Sequence, residues 1–460
     1  MRVHPAGPRS GELAHEGLRV GPAEDLNALD PAVWPLGARR SPDGPLMLRG
    51  HDVRELVAEH GTPAFFLDEP DLRRRCRDYR SAFGGASVFY AAKAFLCTAV
   101  ARWVEEEGLG LDVCTGGELA VALRAGFPGG RILLHGNNKS VDELGAALDA
   151  GVGRVVVDSL AEVDRLSALC AARGLHQQVL VRTTVGVEAH THEFIATAHE
   201  DQKFGFSLAG GDALQAVRRV LTAPGLELVG LHFHIGFQIF DAGGFEVAAH
   251  RVVGLLAQVR DEMGIELPEL NLGGGFGIAY TSADDPVNVV EMGSTLRTIV
   301  ERECSSYRLS VPALAIEPGR GIVGPGTVTV YEVGTVKPVE GLRTFVSVDG
   351  GMSDNIRTAL YDADYSVALA NRGSGAPPML ARVVGKHCES GDVVVKDAWL
   401  PSDVEPGDLL AVAATGAYCR SMASSYNHLP RPPVVAVSEG ASRVLLRRET
   451  VADLLALDLG

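Results

Sequence analysis

The sequence lacks the marks of a disulfide-stapled or zinc-knuckle protein. Its 460 residues hold seven cysteines, Cys76, Cys97, Cys114, Cys170, Cys304, Cys388 and Cys419. They are scattered, odd in number and without a Cys-x-x-Cys pair, which fits a reduced, cytoplasmic chain. It also lacks an excess of positive charge. The formal net charge is −16, which argues against nucleic acid or an anionic membrane as the main partner but leaves small anions to local fields. No apolar run approaches the ~18 residues of a membrane span. The opening stretch is rich in Pro, Gly and charge and has no signal-peptide apolar core, so residues 1–30 read as a flexible extension.

What is present is an ordinary globular balance, 46% hydrophobic and 22% charged, in a chain long enough for two domains. From Ser87 to about Arg320 an apolar strand, a turn and an amphipathic helix recur. The strands read as Ser87–Lys93, Leu111–Thr115, Arg131–Gly136, Arg154–Ser159, Gln178–Thr184, Leu226–Gly236, Glu269–Gly275 and Ala313–Gly319. Eight alternations predict an α/β fold, a TIM-like (β/α)₈ barrel over residues 67–322, with a doubly wound sheet as the alternative. After Arg320 strands follow one another without long helices, so residues 323–460 read as a C-terminal, mostly β domain. Residues 31–66 are expected to pack with it.

Strand ends line the active face of a barrel, and here they carry chemistry. The first ends in Lys93. A lysine closing an apolar run is commonly a snorkelling side chain, but if desolvated it becomes an amine nucleophile able to bond a carbonyl cofactor. The sixth carries His232 and His234. The seventh runs into Gly273, Gly274 and Gly275, whose backbone can approach an anion closely. The eighth ends in Glu317-Pro-Gly-Arg320, and the Arg320 guanidinium suits phosphate oxygens. A phosphate site after strands seven and eight, together with a reactive lysine, suggests pyridoxal 5'-phosphate. Glu317 is then the candidate partner of the ring nitrogen, and His234 or His232 the group stacked on the ring. A plain tight turn explains the glycines equally well if they are taken alone. No metal is expected: His232, His234, His387 and Cys388 as a zinc set is the rival reading, and no metal-ligand spacing recurs.

Six segments carry a resemblance: Phe89-Tyr-Ala-Ala-Lys-Ala, His135-Gly-Asn-Asn-Lys, Gly230-Leu-His-Phe-His-Ile-Gly, Asn271-Leu-Gly-Gly-Gly, Glu317-Pro-Gly-Arg and Cys388-Glu-Ser. The chain resembles the diaminopimelate decarboxylases, alanine-racemase-like (fold-type III) pyridoxal phosphate enzymes, from about residue 60 to its end. The actinobacterial branch is the most similar, through Val187-Glu-Ala-His-Thr-His-Glu and Val348-Asp-Gly-Gly-Met-Ser-Asp-Asn-Ile-Arg. The resemblance implies that Lys93 holds the cofactor covalently, that His234 stacks on it, and that Gly275 and Glu317 to Arg320, Gly319 included, bind it. It implies that Cys388 is the proton donor and that Arg320, Arg357, Tyr361, Glu389 and Tyr418 contact an amino-acid substrate, Tyr418 touching the cofactor as well. It further implies a homodimer in which Cys388 and Glu389 reach the pocket of the other subunit.

These roles are chemically coherent. A thiol is mostly protonated near neutrality, and the adjacent Glu389 should keep it so. An arginine suits the distal carboxylate of meso-diaminopimelate, and Arg357 and Tyr361 are four apart, so one helix face would present both. The expected reaction is decarboxylation of meso-diaminopimelate to L-lysine. Alternatives are a decarboxylase of a related amino acid, a racemase, and a catalytically impaired homologue that acts as a binding protein. One position departs from the family pattern: Phe237 stands where a phosphate-binding serine is usual.

Overall fold

The computed structural model describes residues 21–42, 44–186 and 202–460. The motif Val187–Glu193, with His190 and His192, lies outside them. The chain divides into two compact units. One holds Arg73–Gly277 and Val287–Gly321; the other holds the described residues up to Leu72, Ile278–Pro286 and Ile322–Gly460.

The first unit is a closed parallel barrel. Its strands are β1 (Ser87–Ala91), β2 (Gly110–Val113), β3 (Ile132–His135), β4 (Arg154–Val157), β5 (Gln177–Thr184), β6 (Leu226–His232), β7 (Glu269–Asn271) and β8 (Ala313–Ile316). Each pairs with the next, and Ala315 and Ile316 of β8 pair with Ser87 and Val88 of β1, closing the ring. Leu133, Val156, Leu180 and Val229, one from each of four strands, form a buried cluster with Phe89 packed against it. That is the filled interior expected of an eight-stranded barrel.

Helices start where the sequence places a cap. Thr115, Ser140 and Ser159 accept from the backbone N–H groups of Glu118, Glu143 and Glu162. Each such cap stabilises its helix by about 1 kcal/mol. Gly126 and Gly174 then end two of the helices in the left-handed region, where glycine carries no Cβ penalty. Lys139, the last residue of His135-Gly-Asn-Asn-Lys, is a structural lysine. It is 1% exposed, lies 2.8 Å from Glu162, and donates to the carbonyls of Gly136 and Val156. The pair therefore ties the loop after β3 to β4 and its helix. Breaking such a buried pair from one side costs about 3–5 kcal/mol.

The strands end earlier than the sequence suggested. Lys93 lies outside β1, in a single 3₁₀ turn Ala92–Ala94. His234 follows β6, and the glycine run follows β7. Apolar residues continue past the hydrogen-bonded ladder: Phe233, Ile235 and Leu272 are all buried, so hydrophobicity overshoots the strand ends.

The second unit is built on mixed β-sheet. In spatial order its strands are Val393–Pro401, Pro378–Val384, Arg343–Val348, Thr327–Val339, Ala64–Asp68, Val434–Ser438 and Ala441–Leu446. Ala64–Asp68 runs antiparallel to Thr327–Val339 and parallel to Val434–Ser438. Val33, Trp34, Leu46, Phe66, Val330 and Val435 share its main core. Among the described residues no helix is long and apolar enough to cross a membrane.

Candidate active site

In the barrel unit the residues that end β1, β6, β7 and β8 converge as a barrel requires. The Ala91 N–H donates to the Pro318 carbonyl, joining the Lys93 turn to the loop that follows Glu317. Gly319 permits this approach, since a Cβ there would lie 3.0 Å from Ala91 and 3.1 Å from Ala94. Lys93 is exposed on this chain, so burial does not by itself desolvate its amine. A residue on a tight turn beyond the strand stands clear of the packed interior. Its charge is nonetheless felt by Asp112, Glu118, His234 and Glu317.

Glu317 is 4% exposed and firmly held. Its Oε1 lies 2.9 Å from His232 Nε2 and accepts from Asn271 Nδ2 at 2.9 Å. Burial pushes this carboxyl up, but His232, Lys93 and Arg182 more than offset it and hold it below the ordinary glutamate range. Asp112 on β2 behaves oppositely. Burial and then the Glu317 charge push it well above the aspartate range. The two neighbouring carboxyls are thus driven in opposite directions, Glu317 toward its anion and Asp112 toward its acid form. Asp112 was not singled out from the sequence. Its signal was a charged residue inside the apolar run Leu111-Asp-Val.

The histidines separate in the same manner. His232 is fully buried and engaged with Glu317. His234 is half-buried, and its Nδ1 accepts from the Gly274 N–H at 3.2 Å. Burial, then the Lys93 charge, pushes it well below the usual histidine range, so the ring is neutral and oriented.

The glycine run is required by close packing. A Cβ on Gly273 would strike the Phe233 carbonyl, one on Gly274 that of Glu317, and one on Gly275 that of Gly236. The N–H groups of Gly273 and Gly274 are both spent internally, on Asn271 Oδ1 and His234 Nδ1. This narrows the expectation that all three present donors to an anion. Arg320 opens the short helix Arg320–Val323 directly after the loop. Phe237 is 51% exposed, at the mouth of the loop after β6.

A pyridoxal cofactor suits these barrel residues. The cradle admits no side chain at three consecutive positions. Its floor carries a buried anion suited to a protonated ring nitrogen, and a lysine and an arginine leave neighbouring loops. The cluster His135, His232 and Glu317 also has metal-like spacing, and the Arg182 guanidinium, 2.7 Å from His135 Nε2, sets a positive charge beside it that disfavours a further cation.

The remaining candidates belong to the β unit. Cys388 is exposed, and its backbone N–H donates to Asn427 Oδ1 at 3.1 Å. The loop that carries it is anchored by Asp392, whose Oδ1 accepts from Met352 N–H and Oδ2 from His387 N–H. Glu389 Oε1 accepts from the Gly391 N–H at 3.3 Å. Arg357 and Tyr361 bound a five-residue helix, Arg357–Tyr361, yet they do not share an environment. Arg357 is 4% exposed, with its guanidinium 4.7 Å from the Tyr280 ring centroid and donating to the Tyr365 hydroxyl, whereas Tyr361 is 53% exposed. Cation–π packing on the two tyrosines draws Arg357 inward, overriding the expected common face. Tyr418 adopts φ +64°, a conformation bulky residues rarely take and one that clusters at functional sites.

Comparison with known proteins gives a consistent result. The pyridoxal-binding domain of the pyridoxal-dependent decarboxylases matches residues 69–324. The chain is 57% identical to the diaminopimelate decarboxylase of Mycobacterium leprae over 471 residues, covering all of both. It is 60% identical to the enzyme of the same name from Mycobacterium tuberculosis H37Rv over 444 residues, 95% of this chain and 99% of the relative. Among solved structures, the diaminopimelate decarboxylase of M. jannaschii in complex with L-lysine is similar with a TM-score of 0.86 at 30% identity, over 92% of this chain and 98% of that one.

Proposed function

The chain belongs to the diaminopimelate decarboxylases, a family of pyridoxal-dependent carboxy-lyases, and from that premise we propose how its residues release CO₂ from meso-diaminopimelate to give L-lysine. The observation that carries the reading is Glu317, an ionised carboxylate held by His232 and Asn271 on the barrel face to which Lys93 also belongs. When bound, pyridoxal phosphate supplies an electron sink for the bond to CO₂.

Lys93 would hold the cofactor through its Nζ. Glu317 would face the ring nitrogen and stabilise the proton on it. His234, neutral and fixed by Gly274, would stack on the ring. Gly275, Gly319, Arg320 and Tyr418 would take the phosphate, with Gly273 and Gly274 shaping the loop. The Phe237 ring has no hydroxyl to offer, so the phosphate would rest on these groups.

Substrate is recognised by Arg320, Arg357, Tyr361, Glu389 and Tyr418. The buried guanidinium of Arg357, already stacked on Tyr280, suits the distal carboxylate that separates diaminopimelate from ornithine. After CO₂ has left, the Cys388 thiol delivers a proton to the α-carbon, a positioned acid contributing ~10²–10⁴ in rate. The working form is a cytoplasmic homodimer in which Cys388 and Glu389 serve the partner's pocket; the scattered cysteines, none of them in a disulfide, support the compartment. A substrate panel tests the assignment. CO₂ release from meso-diaminopimelate, with none from ornithine or arginine, is expected. Turnover of ornithine or arginine in its place would transfer the protein to a different decarboxylase specificity.

A further inference from the structure

Behind Glu317 lies a layer of polar side chains that the reaction as described does not use. Arg182, on β5, is 5% exposed. Its Nη1 lies 2.7 Å from His135 Nε2 and 3.5 Å from His232 Nδ1. A guanidinium has only donors, so each nitrogen it faces must offer a lone pair. The proton of each neutral imidazole is thereby forced onto its other nitrogen. Those other nitrogens both face Glu317: His232 Nε2 at 2.9 Å from Oε1 and His135 Nδ1 at 3.8 Å from Oε2. The two rings lie with their centroids 4.4 Å apart, so neither can turn over without displacing the other.

We propose that Arg182 is a positioning residue that fixes the tautomers of His135 and His232, turning an N–H of each toward Glu317 so that Glu317 stays an anion that a bound cofactor's ring nitrogen could use. The charge balance supports this. A second proton on either histidine would sit against the guanidinium, and burial already pushes both rings below the usual histidine range. Arg182 is itself held by other groups, with the Phe204 ring centroid 5.5 Å from its Cζ and the charge of Asp158 acting on it. Ring orientation set by the hydrogen bond of the opposite nitrogen is a general device of buried histidines. The tautomer assignment stands on protein atoms alone; only its consequence for the cofactor rests on the function proposed above.

The test is nitrogen NMR on the full-length holoenzyme labelled with ¹⁵N-histidine. The chain has 14 histidines, and single His→Gln variants assign the two signals. His135 is expected as the Nδ1–H tautomer and His232 as the Nε2–H tautomer. In Arg182→Met both signals should lose that fixed pattern, the bound cofactor should acquire a pH-dependent absorbance, and kcat should fall while KM holds. Finding either histidine in the opposite tautomer or doubly protonated in the unmutated enzyme would overturn the proposal. So would an Arg182→Met enzyme with unchanged tautomers. The first result needs no variant and survives a failure of Arg182→Met to fold. Loss of cofactor binding with both tautomers as assigned would count against the function, not against the tautomer assignment.

Discussion

Phe237 is the residue at which this chain parts from its family's pattern. It is half exposed, so no buried cavity pays for its size, and its ring cannot make the hydrogen bond a serine hydroxyl would give the phosphate. A neutral hydrogen bond contributes about 0.5–1.5 kcal/mol net. Phe237→Ser is therefore expected to tighten cofactor binding roughly 2- to 10-fold, read from a fluorescence titration of the apo-protein. Equal or weaker binding by the variant would show that Phe237 costs the phosphate site nothing. Most of the proposed site was legible at this scale because reactive side chains interrupt otherwise apolar runs, as Lys93 and Glu317 do. Arg182 and Asp112 interrupt such runs too, on β5 and β2. They were passed over because a strand buried on both faces shows no alternation that would tell an inward charge from an outward one.

At the scale of elements, the count of eight strands was readable and their ends were not. The loops after β6 and β7 bury Phe233, Ile235 and Leu272, so composition continues where the ladder stops. The short helix Arg357–Tyr361 shows a second limit: spacing of four predicts a shared face, but only tertiary packing reveals that Tyr280 and Tyr365 claim Arg357. The turn before that helix carries its own prediction. Asp354 is fully buried, accepts from the Gly351 N–H at 2.8 Å and from the Tyr331 hydroxyl, and burial raises it from 3.8 to about 7. The folded form therefore keeps a proton that the unfolded chain gives up near pH 4. This contribution to stability is complete below that pH and is lost as pH rises through about 7, with a slope of about 1.4 kcal/mol per unit in between. His135, His232 and His234 titrate in the opposite sense, but they are common to both proteins in a comparison. Asp354→Asn should gain on the unmutated protein in urea denaturation from pH 5 to pH 8. A stability difference that stays flat across that range would remove the buried proton from the account.

At the scale of the whole molecule, the sequence places the chemistry in two units. Lys93, His234, Glu317 and Arg320 belong to the barrel, and Arg357, Cys388, Glu389 and Tyr418 to the β unit. No pattern within a single chain states which copy of the β unit completes which barrel. In the proposed homodimer, Cys388 of one subunit serves Lys93 of the other. Unfolding and refolding Lys93→Ala together with Cys388→Ala should then restore about a quarter of normal activity, because half the dimers are mixed and each of those holds one intact site. Activity no greater than the sum of the two parents would show that each chain completes its own site.

The central claim is that Lys93 carries the cofactor for decarboxylation of meso-diaminopimelate. The most direct measurement incubates the purified protein with pyridoxal phosphate and meso-diaminopimelate and scores L-lysine against CO₂, with Lys93→Ala as the blank. One L-lysine per CO₂ from the unmutated protein, and none from the blank, is the predicted result. No L-lysine from the unmutated protein, or the same yield from the Lys93→Ala variant, would contradict it.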